Sequence, residues 1–91
     1  MTSDEFRIAL AASSRTTRPD AAFIFLAALY SHGGRLTRAA LLSPDGGGML
    51  VGRMSPTTLT AVVKQLEAVG ILERRHSDAG ARFVEYAVVG T

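Results

Sequence analysis

Few residues of this chain are typed and spaced for acid–base or metal chemistry. There are two histidines, His32 and His76, and no cysteine. The lack of cysteine excludes disulfide scaffolds, zinc ribbons, redox pairs and thiol nucleophiles. Neither histidine has an i,i+4 partner or a glutamate-bearing metal pattern around it. His32 precedes Gly33-Gly34, at a helix end where free carbonyls are its natural partners. The run Gly46-Gly47-Gly48 is not followed by Lys-Ser/Thr, so it is not a phosphate loop. No Ser–His–Asp set follows from the spacing. No named catalytic mechanism has its parts. The chain is therefore expected not to be an enzyme, and neither a cofactor nor a metal is expected.

A hydrogen-bonding helix face remains. From Ser55 to Val69 the apolar residues Leu59, Val62, Val63, Leu66 and Val69 recur at helical spacing, which marks one buried face. Thr57, Thr58, Thr60, Ala61, Lys64 and Gln65 then lie outward. Hydroxyls and amides both donate and accept hydrogen bonds, and Lys64 adds a fixed positive charge. Ser55 and the free N–H groups of a first helical turn suit an anion such as phosphate. Arg53 stands just before this helix, and Arg74, Arg75, His76 and Arg82 follow it. The basic residues are nine Arg and one Lys, and Arg offers the better fork for phosphates and base edges. Their number alone decides nothing, because fourteen Ala and nine Gly point to a GC-rich coding sequence, which favours all three. From Ile71 to Tyr86 three Arg face three acids. Arg74 and Arg75 can therefore equally form cross-strand ion pairs with Glu73 and Glu85.

Local signals say which elements must carry these residues. Thr2 with Glu5 three residues on is a capping box, and it predicts a helix over about Ser3–Ala12. Ser13–Arg18 is a polar linker. Pro19-Asp20 opens a second helix that runs through ten apolar residues, Ala21–Tyr30, and stops at His32-Gly33-Gly34. That helix is apolar on every side, so it must be covered from several directions. Leu36–Leu42 predicts a short helix with Thr37 as a cap. Ser43–Gly48 is a loop, and Met49-Leu50-Val51 is a short strand or an anchored loop. Ser55 as cap and Pro56 in the first turn start the clearest helix, which Gly70 ends. The period then changes from 3.6 to 2. Ile71–His76 and Arg82–Val89 predict an antiparallel hairpin around the turn 77–81.

At 91 residues the chain is one domain's worth, with a thin core. Its composition, 47% hydrophobic and 20% charged with a net charge of +2, is not that of a disordered chain. A membrane span needs about 20 apolar residues, so no membrane association is expected. The first residues, Met-Thr-Ser-Asp-Glu, do not read as a signal peptide, and a cytoplasmic location is expected.

Capped helix, Gly stop and glycine-bearing hairpin together resemble the winged helix-turn-helix regulators, notably MarR-like and related small bacterial repressors. The residues that carry this are Ser55-Pro56-Thr57-Thr58-Leu59, then Leu66-Glu67-Ala68-Val69-Gly70-Ile71-Leu72-Glu73-Arg74-Arg75, then Gly80-Ala81-Arg82-Phe83-Val84-Glu85-Tyr86. The stretch Ser55–Val89 that holds them covers 35 of 91 residues closely. Pro19–Leu42 fits the two preceding helices by order and length. Two departures stand out. Ser43–Met54 is longer than the turn of a standard helix-turn-helix, and the long C-terminal helix of many MarR-like dimers has no counterpart.

The resemblance implies a mainly α fold with a small β-hairpin, an α+β winged helix-turn-helix. Residues 1–18 would form an added N-terminal helix and linker, and 19–91 the winged domain. It implies a sequence-specific double-stranded DNA-binding transcription regulator, a repressor. Its recognition helix, about 55–69, would lie in the major groove and its wing, 74–83, on flanking backbone or minor groove. Arg53, Ser55, Thr57, Thr58, Thr60, Lys64, Gln65, Arg74, Arg75 and Arg82 are the expected DNA contacts. A homodimer is expected through the N-terminal helix and helix 19–31. The alternative is a winged-helix module that binds a protein partner, which the single positive charge on the recognition face favours.

Overall fold

Capping side chains or a first-turn proline mark where the helices begin. The computed structural model describes residues 1–42, 54–76 and 84–89. In α1 (Ser3–Ser13) the Thr2 hydroxyl accepts from the Glu5 N–H at 3.1 Å, and the Glu5 carboxylate accepts from the Thr2 N–H at 2.8 Å. This is the reciprocal box the sequence encodes. α2 (Pro19–Tyr30) opens on proline, whose missing N–H is of no consequence in a first turn. Gly33 and Gly34, with φ of +78° and +89°, then turn the chain into β1 (Arg35–Thr37). α3 (Arg38–Leu42) follows, and its Ala40 N–H donates to the Thr37 hydroxyl at 3.1 Å. In α4 (Pro56–Val69) the Ser55 hydroxyl accepts from the Thr58 N–H at 3.1 Å, and Gly70 closes the helix at φ +93°, a left-handed stop open to glycine.

β2 (Leu72–His76) and β3 (Val84–Val88) pair antiparallel, with Leu72 opposite Val88 and Arg75 opposite Glu85. β1 pairs with the other edge of β3, Arg35 opposite Ala87 and Thr37 opposite Glu85. The described residues thus form an α+β arrangement of four helices and a three-stranded antiparallel sheet in the order β1-β3-β2. This corrects two details of the sequence reading. The predicted hairpin gains a third strand. The helix expected over 36–42 begins at Arg38, because Leu36 and Thr37 find ladder partners on β3. The expected loop over 43–48, the segment 49–51 and the turn 77–81 lie outside the described residues.

One apolar cluster holds these elements together. Phe25, Leu26 and Leu29 of α2 meet Leu59, Val62, Val63 and Leu66 of α4, with Leu41, Leu72 and Tyr86 closing the ends. The all-apolar α2 is the central helix. α1, α4 and β1 pack against it, and Phe23, Ile24 and Ala27 are its half-buried apolar residues. α1 enters the same cluster with small side chains, Ala9 and Ala12, so this helix shares the core. Among the described residues, no helix is long and apolar enough to cross a membrane.

Candidate nucleic-acid interface

α4 sorts its side chains by angle. Leu59, Val62, Val63 and Leu66 are buried. Thr57, Ala61, Lys64 and Ala68 are exposed. They stand at i, i+4, i+7 and i+11, so they form one narrow outward stripe. Thr57 and Lys64 are its hydrogen-bonding members. Ala61 and Ala68 keep the stripe smooth, which lets another surface approach the helix backbone closely.

The flanks of α4 are already engaged within the chain, including two residues of the expected contact set. Gln65 clamps the linker between α1 and α2. Its Oε1 accepts from the Thr17 N–H at 2.8 Å, and its Nε2 donates to the Thr17 hydroxyl at 2.8 Å. These two bonds use one donor and one acceptor of the amide and fix its plane against the linker. On the other flank the Thr60 hydroxyl donates to the Pro56 carbonyl at 3.0 Å and accepts from Arg38 at 3.3 Å. Thr58 sits at the cap, where its hydroxyl accepts from Ser55 at 3.0 Å. Ser55 is occupied in the same cap. Of the residues expected to read bases, the structure leaves Thr57 and Lys64 outward together and turns Thr60 and Gln65 to the flanks.

Arg38 is the residue the sequence reading missed. Its guanidinium donates to the Tyr86 hydroxyl at 3.0 Å and to the Pro56 carbonyl at 3.3 Å, besides Thr60. One side chain therefore joins α3, the first turn of α4 and β3. No carboxylate pairs with it among the described residues. The one signal in the sequence was an arginine beside a helix start, which is too common to single out.

The two arginines of β2 are also spoken for. Arg74 pairs with Glu67 of α4 at 2.7 Å, and Arg75 pairs with Glu73 on its own strand. Of the two expected partners Glu73 pairs with Arg75, along the strand and not across it, while Arg74 pairs with Glu67. Residues two apart share one face of a strand, so Glu73 reaches Arg75, and the α4–β2 packing brings Glu67 to Arg74. Both arginines keep about two-fifths of their side chain exposed. Such pairs are screened and worth about 0–1 kcal/mol, so a phosphate can compete for these guanidinium groups. Arg53 and Arg82 lie outside the described residues. Among the described residues, no group of three or more His, Cys, Asp or Glu side chains could hold a metal ion.

Comparison with protein-family models, with curated proteins and with solved structures gave no match.

Proposed function

We propose that the chain is a winged helix-turn-helix repressor that binds double-stranded DNA in the cytoplasm. In this reading α2, α3 and α4 are the three helices, α4 is the recognition helix, β2 and β3 carry the wing, and α1 is an added N-terminal helix. The exposed stripe of α4 carries the reading. It is capped, smooth, hydrogen-bonding and cationic, on a helix whose opposite face is locked in the core. A major groove about 12 Å wide admits such a helix. Thr57 presents a hydroxyl to base edges, and its methyl, like that of Ala61, fits a thymine methyl. Lys64 meets a phosphate or a guanine edge. Ser55 and the first-turn amides face the backbone, with Arg53, Arg74, Arg75 and Arg82 on flanking phosphates.

The test is a band-shift titration against the DNA upstream of its own gene and against random duplex, over a range of salt. Binding that is stronger for the upstream DNA and falls steeply with salt is expected, because phosphate contacts release counterions. No binding of either duplex at low salt overturns the reading. A second reading, a protein-interaction module, is favoured by the Arg74–Glu67 and Arg75–Glu73 pairs, which neutralise the cations beside α4. It takes over if both duplexes fail.

A further inference from the structure

The large exposed apolar side chains of the described residues are concentrated in one part of the molecule. Met1, Phe6, Ile8 and Leu10 belong to α1 and its start, and Val89 ends β3, each about half exposed. α1 docks through Ala9, Ala12 and Ser13, so its larger residues flank the docked seam on both sides.

One of those flanks has a pattern of its own. Asp4, Ile8, Ala11 and Arg15 are all exposed, and they stand at i, i+4, i+7 and i+11, on one face of the helix and the turn that continues it. Asp4 and Arg15 have no ion pair among the described residues. Ile8, Ala11 and Arg15 also form one wall of an open groove of ≈ 390 Å³, whose far wall includes Ile71 and Val89.

The order along this stripe is acid, large apolar, small apolar, base. Reversed end to end, it complements itself. Position 4 falls opposite 15, and position 8 falls opposite 11.

We infer that this face joins two copies of the chain, α1 against α1, antiparallel about a two-fold axis at the level of Ala9 and Leu10. Each Ile8 then sits on the partner's Ala11 and enters the groove beside Ile71 and Val89. A large residue over a small one lets the helices approach to about 8–10 Å. Each Asp4 meets the partner's Arg15, and the two helix dipoles oppose each other favourably. The interface is isologous, as a two-fold requires. Its apolar centre supplies the affinity, and the two screened ion pairs set the antiparallel direction. Phe6 and Leu10 lie on the other flank of α1, where Phe6 meets the edge of Phe23 at 5.4 Å between ring centroids, and they take no part.

Light scattering and sedimentation test this with the protein alone, so the outcome is independent of whether it binds DNA. At high micromolar concentration the parent is expected at twice 9.6 kDa. Ile8→Asp is expected at 9.6 kDa with an unchanged circular dichroism spectrum, and Leu10→Asp is expected to remain dimeric. Asp4→Arg and Arg15→Asp each place like charges opposite one another, so each weakens self-association about ten-fold or more. An equimolar mixture of these two variants restores the complementary pairs and recovers the dimer. A parent that stays monomeric overturns the inference. So does a dimer that survives Ile8→Asp or is broken by Leu10→Asp, or a charge-reversed mixture that associates no better than its components.

Discussion

α4 and α1 are both capped amphipathic helices, and they bury opposite kinds of side chain. α4 puts Leu59, Val62, Val63 and Leu66 into the core and shows Thr57, Ala61, Lys64 and Ala68 to solvent. α1 puts Ala9, Ala12 and Ser13 inward and leaves Phe6, Ile8 and Leu10 about half exposed. Burying a Leu or Val side chain is worth about 1.5–3 kcal/mol, and an alanine methyl much less. α4 therefore anchors the domain, and its outer face is free to be polar. α1 is held by a thin seam, and its apolar surplus faces outward. The surface of α4 suits a hydrogen-bonding, anionic partner, whereas that of α1 suits an apolar one.

The largest expected effect breaks this contrast if it fails. Leu66→Ala should cost about 2–5 kcal/mol of unfolding free energy, because Leu66 is fully buried and the site cannot collapse around the loss. Leu10→Ala should change stability by less than about 0.5 kcal/mol in monomeric protein. Urea titrations of both variants measure the difference, and similar losses would show that α1 is as deeply embedded as α4. Next in size is Ala9→Leu. Ala9 has no exposed surface, so the added bulk should cost about 1–3 kcal/mol by prising α1 from α2. A neutral result would mean that the seam has room to spare.

The same contrast explains what could be read from the sequence. The α1 capping box, the Pro19 start, the Ser55 cap and the Gly70 stop are local, each settled within a few residues, and all four stand where the residue types place them. The pairing of β2 with β3 was legible because the period changes after Gly70, turn-forming residues follow, and the second strand is rich in β-branched and aromatic residues. β1 was not legible. Three residues, Arg35–Thr37, carry no period, and what makes them a strand is Glu85, Tyr86 and Ala87 far along the chain. The partners of Thr60 and Gln65 were not legible for the same reason. Helical spacing says which side of α4 they occupy, but Arg38 and Thr17, which bind them, sit 22 and 48 positions away. Buried faces of helices follow a period, whereas the partners of flanking polar groups follow the tertiary fold.

Gln65 and Lys64 sharpen the contrast at the level of about 1 kcal/mol. Gln65→Ala removes two exposed hydrogen bonds to Thr17 and should lower stability by about 1 kcal/mol, with the base preference of any DNA complex unchanged. Lys64→Ala should leave stability unchanged. It should lower the slope of log affinity against log salt by about one unit, as expected for a lost phosphate contact. Thermal melts and band shifts at several salt concentrations separate the two. A Gln65→Ala variant that folds as well as the parent but loses base preference would return Gln65 to the reading face.

The smallest effect is invisible at neutral pH and reports on the α1 seam directly. Tyr30 of α2 is buried, and burial, followed by the Glu5 carboxylate of α1, pushes its phenol above the usual value of 10.0. Both causes disfavour the phenolate in the folded chain. A phenol whose folded value is raised contributes stability that is fully present below its unfolded value, about 10. That stability is lost as pH rises through the folded value. Tyr30→Phe should therefore match the parent at neutral pH and unfold less readily than the parent in strong alkali. Glu5→Gln keeps a side chain that can close the capping box while removing the negative charge. It should lower the Tyr30 titration midpoint toward that set by burial alone. Nuclear magnetic resonance of the Tyr30 ring follows the midpoint in each variant. Ala9→Leu should lower it too, because a displaced α1 takes Glu5 away and lets water reach the phenol. A Tyr30 midpoint that ignores both Glu5→Gln and Ala9→Leu would mean that α1 does not shape the environment of α2 in solution.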